Sequence, residues 1–206
     1  MPQKFYERYW HAQEEELSDF KLKWPHLRPF IPLDEGKVIV DVGCGNGMVI
    51  AQMRKLNPKA KYIGLDVSET ALKSAKRRLP DVDFKPIEDG EAFPLDAASV
   101  DFLFSSEVAE HVYDTKNYFA EMGRILRPGG QLLLTTPFHG LIKNLLLVLL
   151  GFDKHFNPTG PHVRFFSKKS LTACLNDAGF DVVKYGYYGR FYPVPHSIFV
   201  IAKKRV

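Results

Sequence analysis

From Lys37 onward, short apolar runs rich in β-branched residues alternate with amphipathic stretches of helical period. KVIVDV (37–42) reads as a buried strand, and NGMVIAQMRKL (46–56) as a helix stopped at Asn57-Pro58. KYIGLD (61–66) predicts a second strand, followed by a helix that Ser68 can cap and that ends before Pro80. VDFKP (82–86) is a short third strand and SVDFLFSS (99–106) a fourth. DTKNYFAEMGRIL (114–126) is the next helix, with Arg127-Pro128-Gly129-Gly130 as its stop and QLLLTTP (131–137) as strand five. Residues 138–166 break the rhythm before a helix that begins at Ser167. FDVVKYGYY (180–188) and HSIFVIAKK (196–204) have no helical pattern between them, which predicts an antiparallel hairpin at the sheet edge.

This alternation predicts an α/β fold: a doubly wound, mostly parallel seven-stranded sheet with helices on both faces. Ligands of such sheets sit beyond the carboxyl ends of the strands, near the turn after the first. The chain of 206 residues is expected to form one domain. Residues 1–36, with the aromatic-rich FYERYWHAQEEELSDFKLKW, are read as a helical cap across the mouth of that site. Residues 138–166 are read as a lid, since long insertions in compact domains are usually functional. Most leucines of its LIKNLLLVLLGF run are expected to be core, with a lipid-like or aromatic acceptor as the alternative use of that face.

Composition narrows the function classes. Charged residues are 25% and apolar ones 45%, the balance of an ordinary soluble globular chain. The net charge of +4 comes from scattered lysines and arginines, which argues against a nucleic-acid partner. Cys44 and Cys174 form no disulfide framework, so a reducing cytoplasm is the expected location. The first residues lack the apolar core of a signal peptide, and no apolar run is long enough for a transmembrane segment.

VIVDVGCGNG (38–47) places Gly43, Gly45 and Gly47 between strand one and helix one, where the backbone must turn tightly and admit a ligand. Asp66 ends strand two about 20 residues later, where an acid meets ribose hydroxyls. Together they predict a bound nucleoside. The dinucleotide fingerprint would need glycine where Met48 stands, which weakens a pyrophosphate ligand. Cys44, between the glycines, reads as a small packed side chain.

VIVDVGCGNG, GLDVSE (64–69), EDGEAFPLDAASVDFLFSSEVAEHV (88–112) and RILRPGGQLLLTTP (124–137), in this order, resemble class I S-adenosylmethionine-dependent methyltransferases. The resemblance implies S-adenosylmethionine as cofactor. It implies that Asp41 orients the methionine amino group and that Gly43 and Gly45 face the methionine part. Asp66 would then bind ribose, Val67 would pack beside adenine, and Asp89 and Gly90 would read the adenine edge. The carbonyl of Ser105 would receive the ammonium group. A sulfonium ligand agrees with acids around the turn and with the lack of Lys or Arg inside it.

On the acceptor side, Glu107, Glu110 and His111 of SSEVAEHV share one face if the segment is helical. They are candidates for the base that a hydroxyl acceptor requires. With a histidine of the insertion, His162 first and His139 second, they resemble the Glu-x-x-Glu-His plus His set of small-RNA 2′-O-methyltransferases and of polyprenyl-dihydroxybenzoate O-methyltransferases. That resemblance implies a divalent ion on Glu107, Glu110, His111 and His162. Such a set suits Mn²⁺, Fe²⁺ or Zn²⁺, and Mg²⁺ when the substrate supplies oxygens. His111 as a metal-free general base is the competing reading. The expected function is O-methylation of a small molecule. The alternatives are an NAD-dependent oxidoreductase, which lacks a visible hydride-site pair, and a catalytically silent nucleoside-binding subunit.

Overall fold

The computed structural model describes Glu7, residues 20–156 and residues 160–206, apart from the Lys154 side chain. Most of the predicted N-terminal helix therefore lies outside the described residues. Its described end is α1 (Phe20–Leu27), followed by a short 3-10 turn at Arg28–Phe30. The alternating elements then follow: β1 (Val38–Val42), α2 (Met48–Leu56), β2 (Lys61–Asp66), α3 (Glu69–Arg78), β3 (Asp83–Pro86) and β4 (Val100–Ser106). A 3-10 turn at Ala109–His111 leads into α4 (Thr115–Ile125), β5 (Leu126–Pro137), α5 (Leu141–Leu150) and α6 (Phe152–His155). The chain ends with α7 (Lys168–Asp177), β6 (Phe180–Tyr188) and β7 (Ser197–Lys204).

The strands form one seven-stranded sheet in the order β3-β2-β1-β4-β5-β7-β6. The first five are parallel, and β7 runs antiparallel to both β5 and β6, as the helix-free ending predicts. Strand order reverses between β1 and β4, so their carboxyl ends diverge and leave a crevice there. Successive strand residues point to opposite faces. Val40, Val42 and Leu103 accordingly join the core beneath α4 and α7, whereas Ile39, Phe102 and Phe104 join the one beneath α1 and α2. Burial of each such side chain contributes about 1.5–3 kcal/mol, which makes the central strands a rigid base for the loops at their ends.

Local caps set the helix starts. Ser68 Oγ accepts from Ala71 N at 3.2 Å, the Asp114 carboxylate from Asn117 N at 2.9 Å, and Ser167 with Ser170 forms a reciprocal box. Two expectations need correction. Strand β5 begins at Leu126 rather than Gln131, because Leu126 already pairs with Val100, and a register shift absorbs the Pro-Gly-Gly segment. The leucines of α5 are not core, since no residue of this helix is buried.

Candidate functional site

The turn after β1 sits at the β1/β4 crevice. Gly43, Gly45 and Gly47 all have positive φ (79°, 52° and 76°), a region that costs little only for glycine. The donors of this turn face inward. Gly43 N and Cys44 N donate to Leu65 O at 2.7 and 3.0 Å, and Gly45 N donates to Asp66 Oδ2 at 2.8 Å. Gly43 also has a packing reason that the sequence did not reveal: a Cβ there would lie 2.2 Å from Val108 Cγ2. Cys44 is buried, and burial pushes its thiol well above the ordinary range.

Two carboxylates flank the turn from the ends of β1 and β2. Asp41 is 2% exposed, and its Oδ2 has no hydrogen-bond partner among the described residues. Burial, with the neighbouring charge of Asp66, lifts its pKa from 3.8 to about 8. Lys23 of α1, itself buried, acts in the opposite direction. Asp66 holds Gly45 N through Oδ2 and Ser68 N through Oδ1 at 2.9 Å, and burial raises its pKa too. Each oxygen retains a second lone pair for a ligand hydroxyl. Val67 follows, half-buried at the tip of β2. From the N-terminal segment, the Glu7 carboxylate accepts from Glu69 N and Thr70 N at 2.7 and 3.3 Å, which seats Glu7 on the same rim.

The Asp89 carboxylate accepts from Tyr113 N at 2.8 Å and Asp114 N at 3.3 Å, joining the β3–β4 loop to the start of α4. Gly90 beside it has φ +87° and open space around its Cα. The Oγ of Ser105 lies 2.7 Å from Tyr118 OH, both of them buried.

Beyond β4 the predicted shared face of three residues does not form. The segment makes only the 3-10 turn at Ala109–His111, and Glu107 precedes it with φ +56°. For a non-glycine residue this is strained backbone, of the sort retained where surrounding structure over-determines it. The reason is a cage of hydroxyls. Glu107 Oε1 accepts from Thr135 Oγ1 and Tyr188 OH, each at 2.8 Å, with Ser197 Oγ 3.5 Å from Oε2. Glu110 and His111 turn elsewhere. Glu110 is 1% exposed; its Oε2 accepts from Thr136 Oγ1 at 3.1 Å, and Oε1 has no hydrogen-bond partner among the described residues. Burial, then the charge of Glu107, pushes its pKa well up.

His111 Nδ1 lies 3.0 Å from the Pro161 carbonyl. A carbonyl only accepts, so Nδ1 carries the proton and Nε2 the lone pair. Burial lowers this imidazole's pKa to about 4, which leaves it neutral at pH 7. Nε2 lies 3.7 Å from Glu110 Oε1, and the His162 ring is 4.9 Å away between centroids. One ligand atom from each of Glu110, His111 and His162 falls within 4.8 Å of the others, and Glu107 is not in this group. The insertion is tied to the site by its backbone: Val163 N and Arg164 N both donate to Glu110 O, at 2.9 and 3.0 Å. His139 is buried against Asn144 and the His155 and Phe165 rings, and is not in the group of Glu110, His111 and His162.

Sequence reasoning did not single out Lys23, Thr135, Thr136, Tyr188 or Ser197. A signal existed for the two threonines, a polar pair ending the apolar strand next to β4. Tyr188 and Ser197 reach Glu107 only because the antiparallel register sets them opposite each other beside β5.

Comparison with known proteins agrees with this architecture. A family described as "Methyltransferase domain" matches residues 9–185. A Mycolicibacterium smegmatis protein named "Probable S-adenosylmethionine-dependent methyltransferase" is 34% identical over 150 residues, 71% of this chain and 53% of that protein. The ubiquinone biosynthesis O-methyltransferase of Thiobacillus denitrificans is 28% identical over 187 residues, 84% of this chain and 78% of that one. The chain thus spans about half the length of the first of these relatives and more of the second. The crystal structure of an S-adenosylmethionine-dependent methyltransferase from Mesorhizobium loti shares the fold. Its TM-score is 0.71 at 20% identity, over 88% of this chain and 97% of that one. The chain belongs to the class I S-adenosylmethionine-dependent methyltransferases.

Proposed function

We propose that this chain methylates a hydroxyl of a small-molecule acceptor, with S-adenosylmethionine bound over the glycine turn and Glu110 and His111 on the acceptor side. The observation that carries the reading is the buried, unpartnered Oδ2 of Asp41 beside Asp66, two acids whose desolvation a cationic ligand would relieve. When bound, S-adenosylmethionine would supply a methyl group on a sulfonium centre, ready for in-line displacement. Asp41, Gly43, Gly45 and the Ser105 carbonyl would hold its methionine end, Asp66 its ribose, and Val67, Asp89 and Gly90 its adenine. Residues 1–36 and 138–166 would enclose the site as cap and lid within a single domain, excluding water. His111 Nε2 would take the acceptor's proton, and Glu110 would stabilise the imidazolium so formed. The relatives' names lend support to an oxygen acceptor, since they include a ubiquinone biosynthesis O-methyltransferase and a malonyl-[acyl-carrier protein] O-methyltransferase.

A second reading rests on the proximity of Glu110, His111 and His162. A divalent ion with bonds of about 2.1 Å needs donor separations of roughly 3–4 Å, so a small closure would let these three hold one. Glu107 would first have to leave its hydroxyl cage. The ion would supply charge to lower an acceptor hydroxyl's pKa. The test is methyl-ether formation from a panel of phenolic and aliphatic hydroxy compounds, read by mass spectrometry before and after exhaustive chelation. Turnover that survives chelation favours His111 as base, and turnover restored only by added metal favours the ion. Calorimetry that detects NADH binding and no S-adenosylhomocysteine binding would overturn both.

Asp41 makes cofactor binding pH-dependent. Its folded pKa of about 8 exceeds the ordinary 3.8, so the ligand-free fold binds a proton that the unfolded chain releases. The stability that this protonation contributes is lost as pH rises from about 4 to 8. An ammonium ligand prefers the carboxylate, so affinity for S-adenosylhomocysteine should climb by nearly tenfold per pH unit below about pH 7, more slowly toward pH 8, and then level off. Calorimetry in buffers of different ionisation enthalpy should register proton release at about pH 7. An affinity that is flat between about pH 6 and pH 8 would exclude Asp41 from the ammonium site.

A further inference from the structure

Helix α5 is built inside out. At 100° per residue its Lys143, Asn144 and Leu147 share one side, and these three are its half-buried positions. The polar pair faces the protein. Lys143 Nζ donates to the Pro195 and His196 carbonyls, both at 3.0 Å, and Asn144 Oδ1 meets His139 Nδ1 at 3.0 Å. The opposite, wider face carries exposed Leu141, Ile142, Leu145, Leu146, Leu149 and Leu150, with Leu141 86% and Leu150 82% accessible. Contiguous exposed aliphatic faces of this kind mark interaction sites on soluble proteins.

The surroundings say what covers it. Through Lys143 the β6–β7 loop is fixed beside α5, and that loop presents Arg190 with Phe191 and Tyr192, 78% and 70% exposed. Lys143 is taken up by the Pro195 and His196 carbonyls, which leaves Lys154, Arg164, Lys168 and Lys169 against Asp153 alone in residues 138–170, with Arg190 on the adjoining loop. Aliphatic residues in one continuous face, exposed aromatics on the adjoining loop and an excess of cations are the composition of a surface lying in a membrane interface. At ten residues, about 15 Å, α5 cannot span the hydrocarbon, and no described helix is long and apolar enough to cross a membrane.

We propose that the outward face of α5, together with Phe191 and Tyr192 of the adjoining loop, docks on an anionic lipid bilayer, the leucines entering the acyl boundary and the exposed cations of residues 164–190 meeting headgroup phosphates. The inference goes beyond the methyl-transfer reading and does not need it. The test is flotation of the whole protein with phosphatidylglycerol–phosphatidylethanolamine vesicles and, separately, with pure phosphatidylcholine vesicles. Leu145→Glu/Leu149→Glu serves as the variant, because both positions are solvent-exposed and its melting temperature should match the parent. Expected are flotation with the anionic vesicles, weaker flotation with phosphatidylcholine, and partition of the variant lowered about tenfold or more. Leu149→Trp should show a blue-shifted emission on the anionic vesicles. Failure to float, equal partition on both compositions, or parent-like partition of the glutamate variant would overturn the proposal. A dimer in light scattering that the glutamate variant dissociates, with no flotation by the parent, would assign the face to a second copy of the chain instead.

Discussion

In the chelated enzyme, replacement of His111 by alanine is expected to lower kcat by about 10²–10⁴-fold, the contribution of a positioned general base. The expectation follows from the ring's hydrogen bonding, because the Pro161 carbonyl fixes the proton on Nδ1 and aims the Nε2 lone pair toward Glu110. A base with a pKa of about 4 is weak, and it works only where the imidazolium it becomes is stabilised. Glu110 Oε1, 3.7 Å away, is the group placed to do so. Glu110→Gln should therefore reduce kcat as well while leaving S-adenosylhomocysteine affinity unchanged. Because His111 is already neutral above about pH 5, the parent's kcat should not fall on its account until the pH drops toward 4. A chelated His111→Ala enzyme with parental kcat would remove the base from the mechanism.

Asp66→Ala is expected to weaken S-adenosylhomocysteine binding by about 1–3 kcal/mol, roughly 5- to 150-fold. Two effects combine. The ribose hydroxyls lose a charged acceptor, and the turn that cradles the ligand loses its tie to β2. Asp66 is the acceptor for Gly45 N and Ser68 N, so alanine leaves both buried donors without this partner. Stability should therefore fall together with affinity, by about 1–3 kcal/mol for each donor left unsatisfied. Asp66→Asn separates the two effects. It keeps one carbonyl oxygen for a backbone donor but loses the charge, so melting temperature should recover more than affinity does. A dissociation constant unchanged in both variants, with melting lowered only in alanine, would leave Asp66 a scaffold residue with no part in ribose binding.

Much of this protein could be read directly from residue order. Helix and strand identities depend on period and on caps within a few residues, so KYIGLD, the Ser68 cap and FDVVKYGYY match the structure to the residue, and the helix expected from Ser167 starts one residue later with Ser167 as its cap. The glycine turn and its acid were also legible, since both stand at strand ends and strand ends are local features. Residue order could not say which side chains would meet. Glu107 leaves the face it was expected to share with Glu110 and His111 because Thr135, Tyr188 and Ser197 converge on it from three other strands. Gly43 answers to Val108, a neighbour supplied by the loop after β4. Helix α5 has the apolar content of a core helix, yet its leucines face outward. The inward side offers the Pro195 and His196 carbonyls and the His139 imidazole, groups that Lys143 and Asn144 can satisfy and a leucine cannot. Apolar content and period are carried by adjacent residues, whereas orientation depends on partners about 50 positions away in the chain, which only the closed sheet brings within reach.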